Sequence, residues 1–421
     1  MKFLILGNGG REHSICYFIK KSKEIHEIYC APGNAGTSLI AKNVNLDLKN
    51  FQEIKNFIIE KKIDTVIIGP EKLLVEGIVN YLEKYKIKVF GPNKFSSQLE
   101  GSKIFTKKLC EKYKIPTAKF KILKSIKSAI KYFNYSNFPL VIKADGLASG
   151  KGVYICENKI QANEAVEDIF NGKFGKAKNI LCEEFLSGEE MSFFIISDGK
   201  NYKFFGSAQD HKRVLEGDKG KNTGGMGAYS PSRLENNKLN KKIINKIINP
   251  TLQALKEMGT SYKGFLYAGL IIINNEPYLI EFNVRMGDPE CQTILPKLKT
   301  DFAKIINAVV NGHLDKINIL WKDTQSLCIV LCSKGYPDNF KKNIEISNLN
   351  KKKLSENEYI FHAGTKIINK KILSDGGRVM NFVICSKNLK KSRNKAIKLI
   401  KEINWQNGFY RKDIGFKAID Q

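Results

Sequence analysis

The chain has 421 residues, 42% apolar and 27% charged, proportions of a soluble globular protein with room for about three domains. Its formal charge of +28 suggests nucleic acid, yet only seven of the 70 basic residues are arginine, the lysines are scattered over helical stretches such as 238–246 and 390–401, and no RRM, KH or zinc-knuckle spacing accompanies them. No apolar run reaches the roughly 18 residues of a membrane span, MKFLILGNGG is too short for a secretory signal, and nine cysteines without a CxxC pair point to free thiols in the cytoplasm.

Residues 2–6 carry a strand pattern, followed by Gly7-Asn8-Gly9-Gly10-Arg11-Glu12-His13 and a helical pattern. Strand, glycine turn and helix N-terminus is a geometry that presents backbone N–H groups to an anion. Glu12 stands where a dinucleotide fingerprint needs its third glycine, and no acidic residue ends the strand at 28–30. The turn is therefore read as a phosphate site and not an NAD site. With a strand at 65–69, a helix near 73–85 and a strand at 88–90, residues 1–100 predict a small doubly wound α/β domain. Gly69-Pro70-Glu71 and Gly91-Pro92 would join the glycine turn at the carboxyl edge of its sheet, where such sheets bind ligands.

Ser102 is a candidate N-cap for a helix through 113. After a strand at 139–143, Asp145-Gly146-Leu147-Ala148-Ser149-Gly150-Lys151-Gly152-Val153 reads as a glycine loop for laying over phosphates, with Lys143 just before it. It lacks the Walker A spacing, and a plain glycine hairpin would look the same. Glu183-Glu184-Phe185-Leu186 and Gly188-Glu189-Glu190 put carboxylates at a strand junction. They could meet an adenine amino group and ribose hydroxyls, or simply be solvated. Gln209-Asp210-His211-Lys212-Arg213 is a dense polar cluster, and the glycine loop at 222–229 has too few apolar residues to hold itself without a partner.

A long helix at 239–258 and a strand at 264–273 lead into LIEFNVRMGDPE at 279–290. Glu281, Asn283 and Arg285 alternate, so on a strand they share one face. A carboxylate and a carboxamide oxygen suit Mg²⁺, which takes few hard oxygen ligands from protein and shares the rest with phosphates. The guanidinium would lie within reach of a carboxylate or phosphoryl oxygen. A polar edge strand ending in a turn is the competing reading. From about 326 onwards, strands at 327–332, 359–361 and 379–385 and a helix at 389–403 predict a third, smaller α/β unit.

The ordered set GNGGREH (7–13), APGNAGT (31–37), EGSK (100–103), KADGLASGKGV (143–153), EEFLSGEE (183–190), QDHKR (209–213), NTGGMGAYSP (222–231), EFNVRMGDPE (281–290), HAGTK (362–366) and GGRV (376–379) resembles the ATP-grasp ligases, and among them the phosphoribosylamine–glycine ligases. The resemblance implies an α/β protein, α+β overall. Its parts would be an N-terminal doubly wound parallel-sheet domain (1–100), an ATP-grasp domain (101–325) with a mobile flap at about 117–190, and a C-terminal α/β domain (326–421). It implies joining of glycine to 5-phosphoribosylamine, with ATP giving ADP and phosphate through a glycyl phosphate, in de novo purine biosynthesis. Other ATP-grasp carboxylate–amine ligases are the alternative, and a basic nucleic-acid binder the remote one.

By the same resemblance, ATP would be held by Lys103, Lys143, Gly150, Lys151, Gly152, Glu183, Glu184, Leu186 and Glu190, and Mg²⁺ or Mn²⁺ by Glu281 and Asn283. Glycine and 5-phosphoribosylamine would meet Gly9, Gly10, Arg11, Glu71, Asp210, Lys212, Gly224, Gly225, Met226 and Arg285, with Arg285, Lys143 and Asp210 catalytic. A cytoplasmic monomer with small-molecule substrates, and neither nucleic acid nor membrane as partner, is expected. Two departures stand out: Leu266-Tyr267-Ala268-Gly269-Leu270 offers no further metal carboxylate, and Lys72-Leu73 replaces a smaller pair.

Overall fold

A computed structural model of the protein describes residues 1–147, 152–175, 177–349 and 354–419. The chain begins with a parallel five-stranded sheet, in the order Lys42–Asn43, Glu27–Pro32, Lys2–Gly7, Thr65–Ile68 and Val89–Phe90. Phe3 to Leu6 and Val66 to Ile68 are buried throughout, because helices cover both faces of the sheet. The expected helix at 73–85 is two helices, Glu71–Glu76 and Ile78–Glu83. Gly77 separates them at φ +97°, a left-handed conformation that glycine adopts without a steric penalty.

A four-stranded antiparallel sheet follows, ordered Phe120–Leu123, Ile180–Glu184, Leu140–Ala144 and Val153–Cys156, with helices Ile126–Phe133 and Lys159–Phe170 against it. Leu123, Ile142, Val166 and Ile180 give it a core of its own, separate from those of the other sheets. Its base is tied to the rest of the chain where Leu279 N donates to Pro116 O at 2.8 Å and Thr117 Oγ1 to Leu279 O at 2.6 Å.

The largest sheet has nine strands. Glu276–Asn283, Lys263–Ile273, Glu189–Asp198, Tyr202–Asp210 and Gly227–Ser230 form one half, and Gln325–Ser333, Arg378–Ser386 and Glu358–His362 continue it, with Gly408–Phe409 alongside Gln325–Ser333. The unit from 326 is thus α/β as expected, but it extends the central sheet through the Tyr229–Leu327 register instead of building a sheet apart. One apolar core runs from Ile5 of the first sheet through Phe205 and Phe265 to Ile329 and Phe382.

The helix expected at 239–258 passes through a π turn at Ile244–Ile248 before its last segment, Asn249–Glu257. Pro250 has no N–H to donate back along the helix, which accounts for the irregular ladder before it. Among the described residues no helix is long and apolar enough to cross a membrane, and all nine cysteines are unpaired and buried.

Candidate active site

The strand Glu276–Asn283 is bulged. Gly269 pairs with Glu281 but Leu270 pairs with Leu279, so Ile280 is an extra residue and the chain twists just before the carboxylate. Gly269 gives that carboxylate room, since a Cβ there would lie 3.3 Å from Glu281 Cγ. Burial works against charge on Glu281, but Lys212, Lys143, Lys103 and Arg285 outweigh it and hold its carboxyl below the usual range. Asn283, nearly buried, lies opposite Tyr267 in the register. Among the described residues no group of three or more His, Cys, Asp or Glu could hold a metal alone. A charged carboxylate and one amide oxygen fit a divalent ion that draws its other ligands from phosphates.

The lysines around Glu281 come from separate elements. Ser102 caps the helix Lys103–Lys112, accepting from Phe105 N, and its hydroxyl lies 3.1 Å from Asp145 Oδ1. That links the helix start to the glycine loop, and Lys103 Nζ donates to Gly146 O at 2.8 Å. Lys143 Nζ lies 2.8 Å from Glu183 Oε1, and Lys107 Nζ 2.9 Å from the other oxygen of the same carboxylate. The Glu183 carboxylate is therefore clamped between two buried lysines. Glu184 accepts from Lys119 N at 2.8 Å, Leu186 is partly exposed beside exposed Phe185, and Glu190 pairs with Lys212 at 3.1 Å. Gly152 is buried, its carbonyl accepting from Ala144 N, whereas Gly150 and Lys151 lie outside the described residues.

Asp210 ends the strand Tyr202–Asp210 with its buried Oδ1 unpartnered among the described residues. Burial, and then the Glu290 carboxylate, push its carboxyl well above the usual range. Gly225 closes over it at φ +114°, where a Cβ would sit 2.8 Å from Oδ1 and 2.6 Å from Pro289 Cδ. The loop around Gly225 has the partners that its composition demanded. Gly224 N donates to Tyr336 Oη at 2.9 Å, and Arg378 Nη1 donates to Gly224 O and to Asp288 O. Met226 is a different case. Its side chain is fully buried and its N–H and C=O are bonded to His211 and Val330, so its place is in the core and not among exposed substrate contacts.

The glycine turn also departs from expectation. Gly9 N donates to Glu12 Oε2 at 2.6 Å and Arg11 N to Asp288 Oδ2 at 3.1 Å, so two donors expected to face a phosphate are taken by carboxylates. Glu12 fills the space a third glycine would have left open; a Cβ on Gly69 would come within 2.0 Å of its Oε1. Gly10 packs against Asn381 and Gln292, and the Arg11 guanidinium is bound to Glu12 and Met286 O. The turn is thus a junction between units rather than an open anion cradle.

Arg285 lies just past the strand, held by Glu71 at 3.2 Å and Glu100 at 2.7 Å. Burial opposes charge on Glu71, but Arg285 and Arg11 pull its carboxyl down to about 2. Glu100, Lys107, Asp288, Glu290 and Arg378 are not singled out from the sequence. Four of them lie inside the quoted motifs, which was the available signal. Lys107 had only its helical spacing of four from Lys103.

Comparison with known proteins decides the family. Residues 1–100, 101–291 and 326–417 match in turn the N domain, the ATP-grasp (A) domain and the C domain of phosphoribosylglycinamide synthetase. The phosphoribosylamine–glycine ligase of Agrobacterium fabrum is 44% identical over the whole chain and 99% of the relative. The chain belongs to the phosphoribosylglycinamide synthetase family. Among solved structures in this family, the phosphoribosylamine–glycine ligase of Thermotoga maritima is 31% identical, with TM-score 0.86, over 99% of this chain and 100% of that one. A biotin carboxylase from Campylobacter jejuni, 16% identical with TM-score 0.73 over 95% of this chain and 91% of that one, shares the fold.

Proposed function

We propose that this protein joins glycine to 5-phosphoribosylamine, converting ATP to ADP and phosphate and yielding glycinamide ribonucleotide, a step of purine biosynthesis. The observation that carries the reading is the charged Glu281 carboxylate ringed by Lys103, Lys143 and Lys212, within a chain matched end to end by the family. Such a ring suits a polyphosphate with its metal. Mg²⁺ or Mn²⁺ held by Glu281 and Asn283 would neutralise phosphate charge.

A glycine carboxylate oxygen is a poor leaving group, and phosphorylation converts it to a good one. The carboxylate attacks the γ-phosphate to give glycyl phosphate, and the amine of phosphoribosylamine then displaces phosphate. Lys103 and Lys143 hold the phosphates in line, so that catalysis is mostly positioning and charge neutralisation. Arg285 offers N–H donors to the acyl phosphate and to the oxyanion that follows it. Asp210, its carboxyl pushed up by burial and by Glu290, is suited to take a proton from the attacking amine. The sheet at 120–184, with a core of its own, is the part suited to move over ATP as a flap.

The test is ADP release with ATP and Mg²⁺, adding glycine and phosphoribosylamine (generated in situ) separately and together. ADP that forms only with both, alongside glycinamide ribonucleotide detected by mass, is the expected result. Equal activity with other carboxylates or amines would remove the named substrates and leave only an ATP-grasp ligase.

A further inference from the structure

Arg285 is oriented before any substrate arrives. Its Nε lies 3.2 Å from Glu71 Oε2, its Nη2 donates to Glu100 Oε1 at 2.7 Å, and its Nη1 to Met286 O at 3.4 Å. A guanidinium has five N–H donors, so one on Nη1 and one on Nη2 have no partner among the described residues. Donors on these two nitrogens can grip a carboxylate or phosphoryl group bidentately.

The two carboxylates differ in what else they do. Glu71 starts a helix of the N-terminal sheet unit and also faces Arg11. Glu100, in the short helix Gln98–Gly101, is more deeply buried, and its second oxygen accepts from Val284 N at 2.8 Å. A single carboxylate thus ties down both the backbone before Arg285 and the head of its side chain. Rotation of the guanidinium would break one bond, and displacement of the strand exit would break the other.

We infer that Glu100 is a positioning residue for the ligation reaction, setting the direction in which Arg285 presents its two open donors to the reacting oxygen. The inference rests on the reaction proposed above. Glu71, Arg285, Glu281, Lys103 and the Tyr262 phenol are the charged and titratable groups that face Glu100. Burial outweighs Arg285 there and pushes the Glu100 carboxyl up to about 7.

The experiment is steady-state kinetics of the full-length protein and three variants: E100Q, R285K and the double variant. Glutamine keeps the volume and an oxygen acceptor but loses the charge. E100Q should lower kcat roughly 10- to 100-fold, as loss of orientation does, with the KM for ATP little changed. Added to R285K, E100Q should cost less than about threefold, because its effect passes through the arginine.

A wild-type kcat in E100Q, or a full multiplicative loss in the double variant, would overturn the inference. Should E100Q melt early, R285K alone still decides, since a wild-type kcat there also overturns it. A wild-type protein that forms no ADP from the two substrates together would instead defeat the proposed reaction, a separate outcome.

Discussion

At the scale of single residues, charge placement matters more than the number of charges. The chain is strongly basic, yet three of its lysines converge on one carboxylate, Glu281. Glu281→Gln keeps the shape and removes one of the negative charges that face Lys103, Lys143 and Lys212, leaving a divalent ion with one weaker ligand. Turnover should fall roughly a hundredfold or more, while the far-ultraviolet spectrum stays unchanged. Activity near that of the unmodified protein would remove Glu281 from the metal role. The same scale shows what Glu12 does in place of a third glycine. Its carboxylate folds back 2.6 Å from Gly9 N, and a side chain that closes its own turn gives no sequence signal of having done so.

At the scale of elements, the glycine loop at 223–227 makes the sharpest demand. Gly225 combines φ +114° with a Cβ position 2.6 Å from Pro289 Cδ and 2.8 Å from Asp210 Oδ1. The proline ring cannot swing away and the Asp210 Oδ1 atom is buried, so Gly225→Ala should cost about 1–3 kcal/mol of stability and cut turnover by displacing Asp210. Gly259 is the control. It has φ +79° and nothing within 4 Å of a Cβ. Gly259→Ala should show only backbone strain, about 1–2 kcal/mol, at unchanged turnover. Urea unfolding and kinetics on the two variants separate strain from displacement, and equal kinetic losses would refute the close-approach account. Elements were legible wherever the pattern is local: alternation around Glu281, the Ser102 cap and the strand at 263–273 follow from neighbours in sequence. The bulge at Ile280 and the hold of Arg378 on Gly224 were not. The first depends on how two strands register, and the second joins residues 154 positions apart.

At the scale of the whole molecule, histidines sit at the seams. His211, beside Asp210 of the central sheet, accepts from Gly415 N at Nε2 (3.1 Å) and lies 3.3 Å from Gly227 O through Nδ1. His13, in the first helix, accepts at Nδ1 from His362 N at 2.8 Å. Both histidines serve as acceptors, so protonation would remove a bond between the C-terminal unit and what it packs on. Burial, followed by the Arg411 charge, pulls His211 down to about 4, and burial alone does the same to His362. A histidine that stays neutral when folded but titrates near 6.5 when unfolded favours unfolding as acid is added. Its stability is fully present above 6.5 and lost as pH falls towards 4, about 3 kcal/mol for each. Glu100, raised to about 7, works in the opposite sense: between pH 7 and 4.5 it favours the folded state as protons bind, and so offsets about one histidine. Removing one histidine should therefore flatten the acid loss visibly. In His211→Gln the amide oxygen can accept from Gly415 N and the amide nitrogen can donate to Gly227 O, with nothing to titrate. Urea midpoints at pH 6.5, 5.5 and 4.5 should fall less steeply in this variant than in the unmodified protein, the two differing by about 2 kcal/mol over the window. Identical slopes would mean that acid sensitivity does not arise at the seam between the central sheet and residues 411–415.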